Sequence, residues 1–272
     1  MSVNIQNPGS ALGEAIGSEM EKALNRFLIR VSETAGYHLI SKGLGKAKSG
    51  REKKLLMYDK FGTAYNIDSV IANHAMQPVI LVESKYIRYT KHNRDKGSWI
   101  CTAHPALRKR YPSIRSSIAV LAGNWSKSSQ AMMKSNDINI FLVKFDAICN
   151  LLAEHRIAFD WDEKDRSLAT EAWAKYSRLT KAQKAAIGAA MANQVKDDLE
   201  RTILTILDDS IPRKVNRVTV ELHSNLGEVK VYEFETVDEA VEFLNSNELS
   251  ESFLSTDSPS LFDSSPESES LD

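Results

Sequence analysis

Three charged side chains stand where the sequence predicts the ends of buried strands. Glu83 and Lys85 directly follow residues 79–82, a continuous apolar run that predicts a strand buried on both faces. Asp68 lies near the end of the preceding predicted strand. Because an unpaired buried charge is costly, Glu83 needs a partner such as a metal ion, and Lys85 needs a phosphate or carboxylates.

Alternate side chains of a strand project from one face of the sheet. One face is therefore predicted to carry Val79, Leu81, Glu83 and Lys85. If the two strands are neighbours, the carboxylates of Asp68 and Glu83 converge on one ion. Two carboxylates, water and substrate oxygens are the ligands that Mg²⁺ prefers.

The chemistry expected of this set is phosphodiester hydrolysis. The metal would polarise a phosphoryl oxygen and generate or orient hydroxide. Lys85 would stabilise the pentavalent transition state and help to position or deprotonate the attacking water.

The elements that would position these residues alternate in type. Apolar residues at helical spacing predict a helix over 10–34, which Gly36 ends. A possible short strand at 37–41, strands at 55–59 and 65–71 and the strand at 79–82 follow. The remaining predicted elements are a helix at 103–111, a strand at 118–121, a helix at 128–134, a strand at 138–143 and a helix at 145–155. This order predicts an α/β fold with one mixed sheet between helices.

Asp68 followed by Glu83-Ser84-Lys85 on the next strand resembles the PD-(D/E)XK nuclease superfamily, which includes many type II restriction endonucleases. The resemblance covers roughly residues 10–145 and includes the element order αβββαβ. Ile67 stands where the family pattern has proline. The resemblance implies a restriction-endonuclease-like core, with Asp68 and Glu83 binding Mg²⁺ and Lys85 catalytic. The alternative is a surface ion pair, because Glu-X-Lys also occurs by chance.

Many members of that superfamily add a carboxylate from the first helix. Glu14 and Glu21 are seven residues apart and share one edge of the predicted apolar stripe, whereas Glu19 lies on the opposite edge. The spacing of Gly17 and Glu21 resembles that of related junction-cleaving nucleases, so Glu21 is the expected fourth catalytic residue. A solvated helix flank is the alternative.

Basic residues interleaved with aromatic ones follow the Glu-X-Lys motif, from Lys85 to Arg115, and a basic loop spans residues 42–54. Such a composition suits contact with DNA phosphates and bases, although a solvated basic surface has the same composition. The candidate DNA-binding residues are Lys48, Arg51, Arg88, Lys91, His92, Arg94, Lys96 and Arg108. His104 is a further candidate phosphate ligand, with a structural histidine as the alternative.

Composition bounds the class of protein. The 272 residues are 42% hydrophobic and 26% charged, which is typical of a globular protein. The two cysteines and the absence of a signal-like N-terminus indicate a cytoplasmic protein. Residues 248–272 carry a formal charge of −7, which leaves +6 on the rest of a chain of net charge −1. The predicted organisation is a nuclease core over 1–160, a helical and ββα extension over 161–247, and an acidic disordered tail over 248–272.

These expectations combine into a Mg²⁺-dependent endodeoxyribonuclease that acts on double-stranded DNA, by analogy as a homodimer. One alternative is a structure-specific repair or junction nuclease with the same centre. Two others are a non-catalytic DNA-binding protein on a nuclease-like fold and a scaffold whose acidic tail recruits a basic partner.

Overall fold

The computed structural model describes residues 7–43, 53–245, 249 and 251–253, and it divides into two compact units, Met1–Asp208 and Asp209–Asp272. The helices of the first unit are α1 (Pro8–Thr34), α2 (Asn93–Arg110), α3 (Lys127–Lys134), α4 (Phe145–Ala153), α5 (Arg166–Arg178), α6 (Lys181–Asn193) and α7 (Lys196–Leu207). Its strands are β1 (His38–Ile40), β2 (Leu55–Tyr58), β3 (Ala64–Ile67), β4 (Ser69–Ala72), β5 (Pro78–Ile87), β6 (Ser116–Gly123) and β7 (Ile138–Lys144). Within these ranges no helix is both long and apolar enough to cross a membrane.

A five-stranded mixed sheet, in the order β1-β4-β5-β6-β7, forms the centre of the first unit. β4 pairs with β1 and β5 in antiparallel fashion, whereas β5, β6 and β7 are parallel. The predicted α/β class and the central place of the apolar strand are therefore confirmed. β5 is buried along Pro78–Glu83, as expected for a strand covered by helices on both sides.

Helices cover both faces of this sheet. On one face, Ile80 and Val82 belong to a core cluster with the apolar stripe of α1, and α4–α7 contribute to the same cluster. On the other face, Leu81 packs with Leu107 of α2, and Leu121 packs with Ile100 of α2. The result is a layered α/β/α arrangement.

The first compact unit extends beyond the boundary predicted at residue 160. Tyr176 of α5, Ile187 of α6 and Leu199 of α7 are buried in the same cluster as α1 and the sheet. These helices complete the core of the first unit, so its compact region runs to Asp208.

Several predicted elements differ from those observed. The strand predicted over 65–71 is two strands, β3 and β4, separated by a bend at Asp68, and β2 and β3 form a separate hairpin. The helix predicted over 103–111 begins at Asn93, where charged residues obscure its periodicity. Val79 packs in the cluster on the α1 side, beside a shift of register between Ile71 and Ala72, and so does not share the face of Leu81.

The second unit contains β8 (Val218–His223), β9 (Val229–Phe234) and α8 (Val237–Asn245), which are the strand, strand and helix predicted there. β8 and β9 form an antiparallel hairpin. Phe243 of α8 lies with its ring centroid 4.4 Å from that of Tyr232 and 5.2 Å from that of Phe234. Most of residues 248–272 lie outside the described residues.

Candidate active site

Asp68, Glu83 and Lys85 meet at the end of β4 and along β5. The ammonium group of Lys85 donates to Asp68 Oδ2 at 2.8 Å and also to Glu83 Oε2. The side chain of Glu83 is fully buried, whereas those of Lys85 and Asp68 are 22% and 32% exposed. The structure therefore brings the two acids together on one amine, in a position open to solvent on one side.

The bend at Asp68 is explained by hydrogen bonds between side chains and the backbone of the neighbouring strand. The β4–β5 ladder reaches the pair Ser69 and Val82, and beyond it the side chains provide the hydrogen bonds. The backbone N–H of Asp68 donates to Glu83 Oε1 at 3.2 Å, and the backbone N–H of Ser84 donates to Asp68 Oδ2 at 3.0 Å. Each carboxylate thus holds the backbone of the neighbouring strand, which fixes the distance between the two acids.

The electrostatics of this cluster follow from burial and from two like charges. Burial and the neighbouring Glu83 carboxylate raise the pKa of Asp68 to about 6. Burial alone would lower the pKa of Lys85, but Glu83 and Asp68 outweigh that effect and raise it. The raised pKa favours the ammonium form of Lys85, which donates hydrogen bonds to both carboxylates.

His104 of α2 is a neighbour of the cluster that the sequence placed among phosphate ligands. Its side chain is fully buried, and Nε2 lies 4.0 Å from Glu83 Oε1. Burial and the charge of Lys85 lower its pKa to about 3, so the ring is neutral. A buried neutral ring cannot contact DNA from the surface. Its helical spacing from Ile100 and Leu107, both buried, is the sequence signal for this inward position.

Glycines hold α1 close to the end of β5. An added Cβ would lie 3.0 Å from Tyr86 Cε1 at Gly13 and 3.1 Å from Tyr86 Cβ at Gly17. The close approach brings Glu21 to the same cavity wall as Lys85. Burial and the charge of Asp68 raise the pKa of Glu21.

The other two acids of α1 differ in their surroundings. Glu14 borders the same cavity as Glu21. Glu19 lies on the far edge of the helix, where it pairs with Lys22 and packs against Gly188 of α6.

A cavity of about 680 Å³ is bordered by Lys85 and Glu21 and runs along α1 to its first turn, whereas Asp68 and Glu83 are not among its lining residues. Its walls also contain residues that the sequence did not indicate, because they are distant in sequence from the motif. These are Asn7, Gly9, Ser10, Trp161 and Arg166.

The candidate DNA-binding residues occupy varied positions. Arg88 is only 7% exposed, and its guanidinium group donates to the backbone carbonyls of Phe159 and Trp161. Lys96 borders the cavity and donates to the Tyr86 carbonyl at 3.0 Å. Lys91 is exposed and paired with Glu163.

Arg94 and Arg108 are not among the described residues that line the cavity. Arg94 is exposed and Arg108 is half-buried, both on α2. Lys48, Arg51 and the side chain of His92 lie outside the described residues.

The carboxylate oxygens of Asp68 and Glu83 are ligands that suit a hard cation. Among the described residues, no group of three or more His, Cys, Asp and Glu side chains is suited to hold a metal ion. Mg²⁺, however, is commonly bound by one or two carboxylates, with water and substrate phosphate completing its shell. Asp68 and Glu83 are two such carboxylates, and a cation bound by both would offset the burial and the repulsion from Glu83 that raise the pKa of Asp68.

Comparisons with known proteins give little further information. No family model matches the chain, and no curated protein matches it. A solved structure described as that of a protein of unknown function, AF1548, is 10% identical, with a TM-score of 0.31. The match covers 66% of this chain and 99% of that one, and a similarity of this size carries no argument about fold or function.

Proposed function

We propose that the protein is a Mg²⁺-dependent endodeoxyribonuclease with a restriction-endonuclease-like core of the PD-(D/E)XK type. The observation that supports this most is the convergence of Asp68 and Glu83 on the ammonium group of Lys85, at a solvent-open end of β5. A surface ion pair does not account for a fully buried Glu83 that also holds the neighbouring strand. The free cysteines Cys101 and Cys149 agree with a cytoplasmic enzyme.

Each residue has a role that its surroundings support. Asp68 and Glu83 would hold Mg²⁺, which supplies Lewis-acid polarisation of the phosphodiester. Lys85 donates a hydrogen bond to a non-bridging phosphoryl oxygen and stabilises the negative charge that grows there. Glu21 accepts a proton from the attacking water, for which a raised pKa makes it the stronger base. His104 packs beside Glu83 and limits its movement.

The substrate proposed is double-stranded DNA, held by the exposed cations of α2 and by Lys96 at the cavity. A nuclease that cuts both strands of a symmetric site needs two centres, which a homodimer provides.

Substitution of Lys85 tests the centre. Lys85→Met keeps the aliphatic length but removes the charge that stabilises the transition state, and we expect a loss of roughly 10²-fold or more in cleavage rate. The measurement is Mg²⁺-dependent cleavage of a supercoiled plasmid, with EDTA as the blank. Lys144→Met is the matched control, because Lys144 is an exposed lysine at the end of the parallel strand β7. Equal cleavage by the two variants would remove the proposed centre.

The same digestion separates the remaining alternatives. Discrete plasmid fragments indicate a restriction enzyme, whereas cutting confined to branched or damaged DNA indicates a junction or repair nuclease. Tight, salt-sensitive DNA binding without cleavage at any Mg²⁺ concentration indicates a non-catalytic DNA-binding protein.

A further inference from the structure

His104 of α2 is a buried polar side chain whose hydrogen-bonding groups are unused. It is fully buried, and neither Nδ1 nor Nε2 has a hydrogen-bond partner within the described ranges. An imidazole ring carries at least one N–H group in either protonation state, so at least one buried donor there has no acceptor. Such a donor costs about 1–3 kcal/mol, and an apolar side chain would fill the same space without that cost. Packing alone therefore does not account for a histidine at this position.

A carboxylate acceptor lies just beyond the reach of this ring. His104 Nε2 is 4.0 Å from Glu83 Oε1, whereas an N–H···O hydrogen bond requires about 2.7–3.2 Å. A shift of about 1 Å in either side chain would close the gap. Both side chains are fully buried, so bulk water does not compete for either group.

The position of Glu83 depends on contacts that a bound metal ion would change. Glu83 Oε2 accepts a hydrogen bond from the ammonium group of Lys85, and Oε1 accepts one from the backbone N–H of Asp68 at 3.2 Å. A divalent cation bound by Asp68 and Glu83 would compete with that ammonium group for the same carboxylate oxygens. Once Lys85 gives way, the carboxylate of Glu83 can turn towards the ring of His104.

We infer that His104 is a positioning residue for Glu83, whose Nε2–H group donates a hydrogen bond to Glu83 Oε1 when Mg²⁺ is bound and so orients the carboxylate towards the ion. The inference rests on the metal site of the proposed function. Hydrogen bonds to metal-binding carboxylates commonly come from such partners, and their loss typically weakens metal binding about 10–100-fold. The donor that is unsatisfied without metal would thus gain its acceptor when the metal binds.

Two substitutions separate the hydrogen bond from the packing. His104→Gln keeps an N–H donor close to the position of Nε2, whereas His104→Met is apolar and has no such donor. Isothermal titration of the full chain with Mn²⁺, without DNA, measures metal affinity independently of cleavage. Urea denaturation in EDTA measures the stability of the same proteins without metal.

We expect His104→Met to bind Mn²⁺ about 10–100-fold more weakly than the wild type, and His104→Gln to remain within a few-fold of it. In EDTA, His104→Met should be at least as stable as the wild type, because it removes an unsatisfied buried donor. A purely structural histidine would give the opposite pattern, with stability lost and metal affinity unchanged. Equal Mn²⁺ affinities of His104→Met and the wild type, or equal losses in both variants, would overturn the inference.

A second measurement uses the wild type alone. In crystals soaked with Mn²⁺, the distance between His104 Nε2 and Glu83 Oε1 should fall from 4.0 Å to about 2.9 Å. A bound ion with this gap unchanged would overturn the role of His104 but leave the metal site intact. A wild type that binds no Mn²⁺ would instead overturn the proposed function and this inference with it, so the two failures are distinguishable.

Discussion

The carboxylate of Asp68 is held by hydrogen bonds in surroundings that disfavour its negative charge. Its carboxylate accepts hydrogen bonds from Ser84 and Lys85, yet burial and Glu83 still disfavour its charge. A cation bound by both Asp68 and Glu83 would stabilise the charged form of Asp68. A pKa shifted by burial together with a neighbouring like charge is a property that marks candidate functional sites.

The raised pKa of Asp68 has a consequence for stability. A carboxyl whose pKa is higher in the folded state than in the unfolded state stabilises the fold when protonated, and this contribution is lost as the pH rises through the folded-state value. Between pH 3.8, the ordinary pKa of an aspartate, and about pH 6, the wild type without metal should lose stability that Asp68→Asn retains.

Melting temperatures in EDTA at pH 4 and pH 8 test this prediction. The melting temperature of Asp68→Asn relative to that of the wild type should be higher at pH 8 than at pH 4. Addition of Mg²⁺ at pH 8 should raise the melting temperature of the wild type more than that of the variant. A difference between the two proteins that does not change with pH would contradict the predicted shift.

At the scale of elements, α1 both packs in the core and borders the cavity of the candidate site. The apolar stripe of α1 packs in the core cluster that includes Ile80 and Val82 of β5. The glycines Gly13 and Gly17 of α1 lie close to Tyr86 of β5 and allow Glu21 to reach the cavity. On the opposite edge α1 meets α6, where the contact is also made at a glycine. The position of Glu21 thus depends on the close contact of α1 with β5 and on its close contact with α6.

Gly188 of α6 tests how closely α1 is held. An added Cβ would lie 2.4 Å from the backbone carbon and oxygen of Glu19, and backbone cannot rotate away as a side chain can. Gly188→Ala should therefore reduce the free energy of unfolding, by about 1–3 kcal/mol for overpacking.

Chemical denaturation measures this cost, and Gly9→Ala provides the comparison. An added Cβ at Gly9 would meet its neighbours at 3.7–3.8 Å, which is ordinary contact, so this variant should be as stable as the wild type or more so. Equal stability of Gly188→Ala and the wild type would show that α1 and α6 are not held in this way.

The sequence predicts the elements of this fold better than their junctions. The run at 79–82 is continuously apolar and the stripe of α1 has helical periodicity, and both form the predicted structure. The bend at Asp68 was missed because it depends on hydrogen bonds with Ser84 and Glu83, which are distant in sequence. The motif indicated the three charged residues, but the cavity with Trp161 and Arg166 arises only when α5 folds against α1.

At the scale of the whole molecule, the buried apolar clusters all lie between Leu12 and Leu207. The second unit has one buried hydrophobic residue among its described positions, Ala240. The first unit therefore contains the core needed to fold independently, together with every residue of the candidate site.

A chain ending at Asp208 should accordingly fold with a cooperative thermal transition and retain Mg²⁺-dependent cleavage of plasmid DNA. Circular dichroism and the plasmid assay measure the two properties. Loss of cooperative folding would show that the second unit is required for the core. Retained folding with lost cleavage would assign the second unit a part in substrate binding or dimerisation.

The central claim is that Asp68 and Glu83 bind one divalent cation beside Lys85. Anomalous diffraction from crystals soaked with Mn²⁺ tests it directly, because Mn²⁺ accepts the same oxygen ligands as Mg²⁺. We predict one strong peak in contact with a carboxylate oxygen of each acid, and its loss in Asp68→Asn. Ordered carboxylates with no peak between them, or a peak unaffected by that substitution, would contradict the account.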